Sequence, residues 1–216
     1  RDLREDVIFR TPGMRPDVPE LCAAIERGSV LTSEMEVFFE VCPCPILAVT
    51  GSDGKTTTTT LVSELLKAEG KTVHVGGNIG HPLLAEAGEM KDDDFAVLEL
   101  SSFQLMTMRK SADKAIVTNL SPNHLDVHKD YREYVEAKEN IFLHQSADGL
   151  LILNADNAIT AAFTGNGETR FFSRQGTAYV DVQNGVICRG GEEVLAVSDI
   201  LIPGVHNIEN YCAAIL

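Results

Sequence analysis

A glycine-rich loop containing a lysine and threonines lies where an apolar run gives way to a helical pattern. Residues 50–57 read Thr-Gly-Ser-Asp-Gly-Lys-Thr-Thr. Glycines let a backbone wrap an anion with its amides pointing inward, and a helix N-terminus adds a positive dipole end. Lys55 would offer a charge to the outer phosphates of a nucleotide, and the Thr56 hydroxyl could ligate Mg²⁺. The alternative is an ordinary glycine-rich turn, but Gly-Lys-Thr at a helix start favours phosphate binding.

An acidic side chain stands near the end of a second apolar run. Residues 95–100 read Phe-Ala-Val-Leu-Glu-Leu, which predicts a buried strand with Glu99 near its C-terminal end. Ligands of open α/β sheets gather at that edge. A carboxylate there is costly unless a cation neutralises it, and Mg²⁺ on nucleotide phosphates would do so. The alternative is a glutamate exposed at the sheet edge.

A histidine-containing segment follows a third predicted strand. Residues 119–128 read Asn-Leu-Ser-Pro-Asn-His-Leu-Asp-Val-His. His124 could be a metal ligand or a hydrogen-bonding group for substrate. A single histidine is more often structural, but its place after a strand of the same sheet favours a functional role.

These three segments can form one site only if the strands that precede them end at the same edge of one sheet. The alternation of predicted strands and helices along the chain predicts such a sheet. Predicted strands cover residues 46–50, 72–75, 95–100, 115–119 and 149–153, and predicted helices cover 56–69, 81–87, 131–145 and 207–216. Such alternation indicates an α/β fold with a parallel sheet covered by helices on both faces. Between residues 169 and 197, short β-like runs at 170–173, 178–182, 186–189 and 194–197 predict a small antiparallel meander.

Composition excludes several classes of protein. The 216 residues carry a net charge of −14, which argues against nucleic-acid binding because that depends on Lys and Arg neutralising phosphates. No apolar run is long enough for a membrane span. The five cysteines favour reduced thiols in a cytoplasmic protein. Cys-Pro-Cys at 42–44 has no second Cys/His pair at zinc spacing, so we interpret it as the lead-in to a strand.

Taken together, these segments resemble the Mur ligases. The loop has the family form Thr-Gly-x-x-Gly-Lys-Thr, with Val49 where the general phosphate-loop rule has a glycine. The strings Glu-Leu-Ser-Ser-Phe-Gln-Leu from Glu99 and Asn-x-Ser-Pro-Asn-His-Leu-Asp-x-His from Asn119 are similar to those of the members that add D-glutamate. The segments 76–80, 134–142 and 204–210 also match.

The resemblance implies an ATP-dependent ligase of peptidoglycan synthesis with two chemical steps. The carboxylate of UDP-N-acetylmuramoyl-L-alanine would take the γ-phosphate of ATP, and the amine of D-glutamate would displace phosphate from that acyl phosphate. Because a carboxylate must approach a polyanion, metal ions and fixed cations must offset the repulsion.

The resemblance also implies residue roles by motif position. The residues for the ATP phosphates would be Gly51, Ser52, Asp53, Gly54, Lys55, Thr56 and Thr57, and those for adenine Asn207 and Asn210. The muramoyl substrate would contact Asn78, Ser101, Gln104 and His124. The Mg²⁺ ligands would be Thr56, Glu99, His124 and, if it is carbamylated, Lys138. Lys55, His124 and Lys138 would be catalytic.

Lys138 has two opposed interpretations. Composition alone predicts a solvated lysine on a helix. The resemblance implies a carbamate, an anion that can bind Mg²⁺ where an ammonium would repel it. Forming a carbamate needs the neutral amine, whereas the pKa of an unperturbed lysine is about 10.4.

The family has three domains, and the resemblance covers only part of them. We expect residues 1–45 to be the end of a UDP-binding domain with its linker, and 46–216 to be an ATP-binding domain cut within its last helix. The amino-acid-binding domain would be absent, leaving a monomeric, inactive fragment. Alternatives are a Mur ligase adding a different amino acid, a folylpolyglutamate synthase, which shares only the loop type, and a non-catalytic nucleotide-binding module.

Overall fold

A computed structural model describes residues 3–122 and 128–216. The strands are β1 Val7–Phe9, β2 Val30–Thr32, β3 Ile46–Thr50, β4 Val73–Gly77, β5 Phe95–Glu99, β6 Lys114–Val117, β7 Leu150–Asn154, β8 Glu168–Phe172, β9 Val180–Gln183, β10 Val186–Arg189 and β11 Glu192–Ala196. The helices are α1 Pro19–Glu26, α2 Glu34–Val41, α3 Lys55–Ala68, α4 Ser102–Leu105, α5 Tyr131–Glu139 and α6 Val205–Ile215. None of these described helices is long and apolar enough to cross a bilayer.

The described residues build one large sheet with the strand order β11-β10-β9-β8-β7-β6-β3-β5-β4, and β1 pairs with β2 in a separate parallel ladder. Strands β3 to β7 are parallel, which confirms the predicted sheet, and β8 extends it in parallel. Strands β9, β10 and β11 form the antiparallel meander. The prediction that β8 belongs to this meander is wrong, because residues 155–167 are long enough for the crossover that places it parallel to β7.

Helices cover both faces of the sheet, as the α/β pattern predicts. Alternate residues of each strand point to opposite faces, so Ala48 packs in one core while Leu47 and Val49 pack in the other. The first core contains side chains from α2, α4 and α5, and the second contains side chains from α3 and α6. This packing fixes the helices that flank the carboxyl edge of the sheet.

The structure corrects two predicted helices. The segment 81–87 contains only a 3-10 turn, Leu84–Glu86, in place of the predicted α-helix. The helix predicted over 131–145 ends at Glu139, after which turns lead Ile141 and Phe142 into the core. Its last part therefore follows tertiary packing instead of helical periodicity.

The sequence patterns did not predict the buried helix α2 or the short strand β2. Ser33 caps α2 by accepting a hydrogen bond from the backbone N–H of Glu36 at 3.1 Å. Met35 and Phe38 of α2 pack in the first core. The segment before β3 therefore contributes to the core of the large sheet.

Candidate functional site

The candidate site lies at the carboxyl edge of the sheet, where the glycine-rich loop leaves β3. Strand β3 lies between β5 and β6. The chain from β3 proceeds to β4 on one side, while the chain from β6 proceeds to β7 on the other. Such a reversal opens a crevice at the strand ends, and ligands of open α/β sheets bind there.

Two glycines give the loop its shape. Gly51 and Gly54 have φ angles of 149° and 79°, which side-chain-bearing residues rarely adopt. A Cβ at Gly51 would collide with the hydroxyl of Thr118, and a Cβ at Gly54 would collide with the side chain of Asn210. The glycines therefore permit both the turn and the close approach of β6 and α6.

The end of β6 holds the loop in place. The backbone N–H of Ser52 donates to the Asn119 carbonyl at 2.8 Å, and that of Asp53 donates to Oδ1 of Asn119 at 3.0 Å. Thr118 Oγ1 donates to the Asp53 carbonyl at 2.6 Å. Sequence analysis did not assign Thr118 or Asn119 to the site, although Thr-Asn at a strand end was the available signal.

The first turn of α3 meets the end of β5. The Thr56 hydroxyl donates to Oε2 of Glu99 at 2.6 Å, and Asn78 Nδ2 donates to Oε1 of the same carboxylate at 2.8 Å. Glu99 is only 2% exposed, so the predicted strand-end position is confirmed and the exposed alternative is wrong. Lys55 Nζ turns back over the loop and donates to the carbonyl of Ser52 at 2.9 Å. Hydroxyl, carboxylate and ammonium thus lie together.

Lys138 lies beneath the same loop. Its ammonium donates to the Gly51 carbonyl at 2.9 Å and to Thr50 Oγ1 at 3.2 Å, and it lies 4.8 Å from the ring centroid of Tyr134. The residue is 2% exposed, so the interpretation as a solvated lysine is wrong. No carboxylate among the described residues lies within ion-pair distance of it. Burial, reinforced by the charge of Lys55, lowers the pKa of Lys138 to about 7.

Helix α5 presents Lys138 through contacts at its other end. Asp130 caps the helix by accepting from the backbone N–H of Glu133 at 2.8 Å. Arg15 pairs with Glu133 at 2.7 Å, and this hydrogen bond lowers the pKa of the Glu133 carboxyl to about 2. The buried His128 hydrogen-bonds Ser102 of α4 at 2.9 Å, and its Nδ1 lies 3.4 Å from the Glu133 carboxylate without a hydrogen bond to it. These contacts fix where α5 meets the loop.

Ser101 and Gln104 occupy the start of α4, next to Glu99 in sequence. They form a capping box in which Gln104 N donates to Ser101 Oγ at 3.3 Å and Ser101 N donates to Gln104 Oε1 at 3.0 Å. Both side chains therefore have a structural role here, beside the substrate contact that the resemblance implies.

Asn207 and Asn210 share one face of α6, as their spacing predicts. Asn210 Nδ2 donates to Asn207 Oδ1 at 3.0 Å, and Thr58 Oγ1 donates to Asn210 Oδ1 at 3.3 Å. Both asparagines are buried. A small cavity of about 60 Å³ lies beside Asn210 and is lined by Asp53, Gly54, Thr118, Asn119, Phe172, His206, Glu209 and Asn210.

Two further predicted residues complete the account. Thr57 lies half-buried in the first turn of α3. His124, predicted as catalytic, substrate and metal residue, lies outside the described residues. Within residues 3–122 and 128–216, no group of three or more His, Cys, Asp or Glu side chains is placed to hold a metal ion.

The fold and the site together define an α/β domain with a phosphate-loop type of strand–loop–helix at the carboxyl edge of a parallel sheet. Residues 49–216 match the family described as the Mur ligase middle domain. The chain therefore belongs to the Mur ligase family.

Curated relatives show the same similarity over nearly the whole chain. The chain is 57% identical to the UDP-N-acetylmuramoylalanine–D-glutamate ligase of Acetivibrio thermocellus, over 97% of this chain and 47% of that protein. It is 53% and 52% identical to proteins of the same name from Ruminiclostridium cellulolyticum and Clostridium novyi, over 97% of this chain and 47% and 46% of theirs. The chain thus spans about half the length of the curated relatives that it matches.

Solved structures share the fold. A UDP-N-acetylmuramoyl-L-alanyl-D-glutamate–2,6-diaminopimelate ligase superposes with a TM-score of 0.67 at 23% identity, over 80% of this chain and 42% of the other. The UDP-N-acetylmuramate–alanine ligase of Thermotoga maritima superposes with a TM-score of 0.63 at 24% identity, over 97% and 50%. At these identities the likeness concerns the fold alone.

Proposed function

We propose that the chain is the nucleotide-binding part of an ATP-dependent ligase that joins D-glutamate to UDP-N-acetylmuramoyl-L-alanine. The names and the 52–57% identities of the relatives support this substrate pair. We further propose that residues 1–45 belong to a UDP-binding domain with its linker, the linker including helix α2, which packs on the large sheet, and that 46–216 form the ATP-binding domain. The remaining length of the relatives would then supply the D-glutamate site.

The observation that carries the proposal is the meeting of three groups at one loop. Thr56 hydrogen-bonds the Glu99 carboxylate, while the amine of Lys138 donates to the Gly51 carbonyl in the same loop. A hydroxyl and a carboxylate are hard oxygen donors that suit Mg²⁺, which usually takes one or two protein ligands beside phosphates and water. Bound there, Mg²⁺ would offset the negative charge of the nucleotide phosphates.

The loop itself would hold the ATP phosphates. The positive φ angles at Gly51 and Gly54 let backbone amides converge, and the N-terminus of α3 adds its dipole. Lys55 would exchange the loop carbonyls for phosphate oxygens. Asn207 and Asn210 would receive adenine beside Gly54, where Asn210 already contacts the loop.

The state of Lys138 makes it suited to carbamylation. A carbamate forms when a neutral amine adds CO₂, and a pKa lowered to about 7 gives Lys138 a substantial fraction of neutral amine near neutral pH. The resulting anion would lie near Lys55, whose positive charge now acts against the Lys138 ammonium. We assign Lys138 this role, and to Asn78, Ser101 and Gln104 the contact with the muramoyl substrate.

A substrate-dependent phosphate assay tests the proposal. The protein at the length of its relatives is supplied with Mg-ATP, UDP-N-acetylmuramoyl-L-alanine and one amino acid at a time. We expect phosphate release with D-glutamate and not with L-alanine, L-lysine or diaminopimelate. Equal release with another amino acid would overturn the substrate assignment, and release that needs no amino acid would overturn the ligase assignment.

A further inference from the structure

A pair of thiols lies at the opposite end of β3 from the glycine-rich loop. Cys42 is the C-cap residue that follows α2, and Cys44 comes two residues before the start of β3. Their sulfur atoms are 3.6 Å apart, and the Cys42 thiol also lies 3.5 Å from the Cys44 carbonyl. The two thiols are therefore already in contact, with only Pro43 between them in sequence.

The two thiols differ in accessibility. Cys44 is 5% exposed and packs in the first core, whereas Cys42 is half-buried. Both line an open cleft of about 530 Å³ with Phe39, Lys110 and Asp113. A small molecule entering this cleft would meet the sulfur of Cys42 before that of Cys44.

We propose that Cys42 and Cys44 form a dithiol site that reacts with low-molecular-weight disulfides and closes a reversible bridge. The proposal is independent of the ligase activity, because the cleft lies at the amino end of β3. A disulfide needs a sulfur–sulfur distance of about 2.05 Å, so the two sulfurs must approach by roughly 1.5 Å.

The chemistry consists of two thiol–disulfide exchanges. The Cys42 thiolate attacks one sulfur of the small disulfide, breaks its S–S bond and releases the first small thiolate. The Cys44 thiolate then attacks the sulfur of Cys42 and expels the second. The protein loses two thiol hydrogens and gains one S–S bond, while the small disulfide is reduced to two thiols that take up the two protons.

The order of attack follows from burial. Burial, together with the neighbouring Cys42 thiol, raises the pKa of the Cys44 thiol to about 12, which makes it a poor first nucleophile. Its contact with Cys42 makes the second step intramolecular, and intramolecular capture can compensate for a small thiolate fraction. Cys42 is therefore the attacking thiol and Cys44 the resolving thiol.

Oxidised glutathione, mass spectrometry and two serine variants test the proposal. The chain is treated without reductant, quenched in acid and analysed intact and after digestion. For the unchanged chain we expect the loss of two hydrogen atoms, mapped to the peptide with residues 42–44 and reversed by dithiothreitol. In Cys44→Ser, a glutathione adduct on Cys42 should persist, at least about tenfold above its level in the unchanged chain.

The remaining variant and an internal control distinguish the proposal from general thiol oxidation. Cys42→Ser should yield no glutathione adduct on Cys44, and Cys22, half-buried in α1, should form at most an adduct and no bridge. Raising the pH from 7.5 to 9 should speed bridge closure, since Cys44 must ionise. A lasting adduct on Cys42 in the unchanged chain, or modification of Cys44 in Cys42→Ser, would overturn the proposal. Circular dichroism of both variants verifies that they are folded.

Discussion

The buried amine of Lys138 should make the stability of the chain depend on pH in a way that Lys138→Met abolishes. Folding lowers the pKa of this amine from 10.5 to about 7 because it loses contact with water. Between these two values the unfolded chain binds one more proton than the folded chain. The free energy of unfolding therefore rises with pH across this window, by up to about 1.4 kcal/mol per pH unit.

The magnitude follows from the two pKa values. Between pH 7.5 and 9.5, a single group with these values contributes roughly 2–3 kcal/mol to the rise in unfolding free energy. For a chain of this length, that difference corresponds to roughly 5–10 °C in melting temperature. Methionine keeps the length and apolar stem of lysine without the charge, so Lys138→Met should lack this contribution. At pH 7.5 the variant also avoids the free energy that the lysine spends on losing its proton when it is buried.

The assay is urea unfolding at pH 7.5, 8.5 and 9.5, in CO₂-free buffer with a chelator, so that neither carbamate nor metal intervenes. Lys91→Met, at an exposed position in the turn before β5, is the matched control. Its free energy of unfolding should rise with pH as that of the unchanged chain does. Other titrating groups are common to all three proteins and cancel in the differences. Parallel curves for Lys138→Met and the unchanged chain would refute the lowered pKa.

Three further outcomes are expected. Lys55→Ala should lower turnover by about 10²–10³, measured as phosphate release at saturating ATP, because one preorganised charge contact is lost; turnover near that of the unchanged enzyme would contradict its phosphate role. Lys138→Ala should be nearly inactive and regain activity with formate or acetate, which can occupy the space left by the lysine side chain and supply the anion beside Glu99. Activity of this variant without added acid, in bicarbonate-free buffer, would refute the carbamate role of Lys138. Gly54→Ala should lower the unfolding free energy by at least about 1 kcal/mol, measured in urea, because its φ of 79° is strained for alanine and the new methyl group meets Asn210; unchanged stability would show that α6 does not lie against the loop.

Local sequence was sufficient for the elements that carry strong patterns. The apolar run from Ile46 to Val49, followed by Thr50, predicted β3 with its observed bounds, because a strand buried on both faces is built mainly of apolar residues. The glycines and lysine of the loop predicted its position at the start of α3, since few residues other than glycine tolerate the positive φ angles at positions 51 and 54. Glu99 was expected near a strand end, and the structure confirms it.

Only the tertiary structure decided which helices, strands and side chains contact one another. Lys138 looked like a solvated lysine because its neighbours in α5 are polar, and only the placement of α5 beside the loop after β3 buries it. The contact of Asn210 with Gly54 joins residues far apart in sequence, and so does the hydrogen bond from the Asp53 N–H to the Asn119 side chain. Such contacts depend on strand order and helix placement, and periodicity along the chain contains no information about either. The environment that shifts the pKa of Lys138 is therefore a property of the assembled fold.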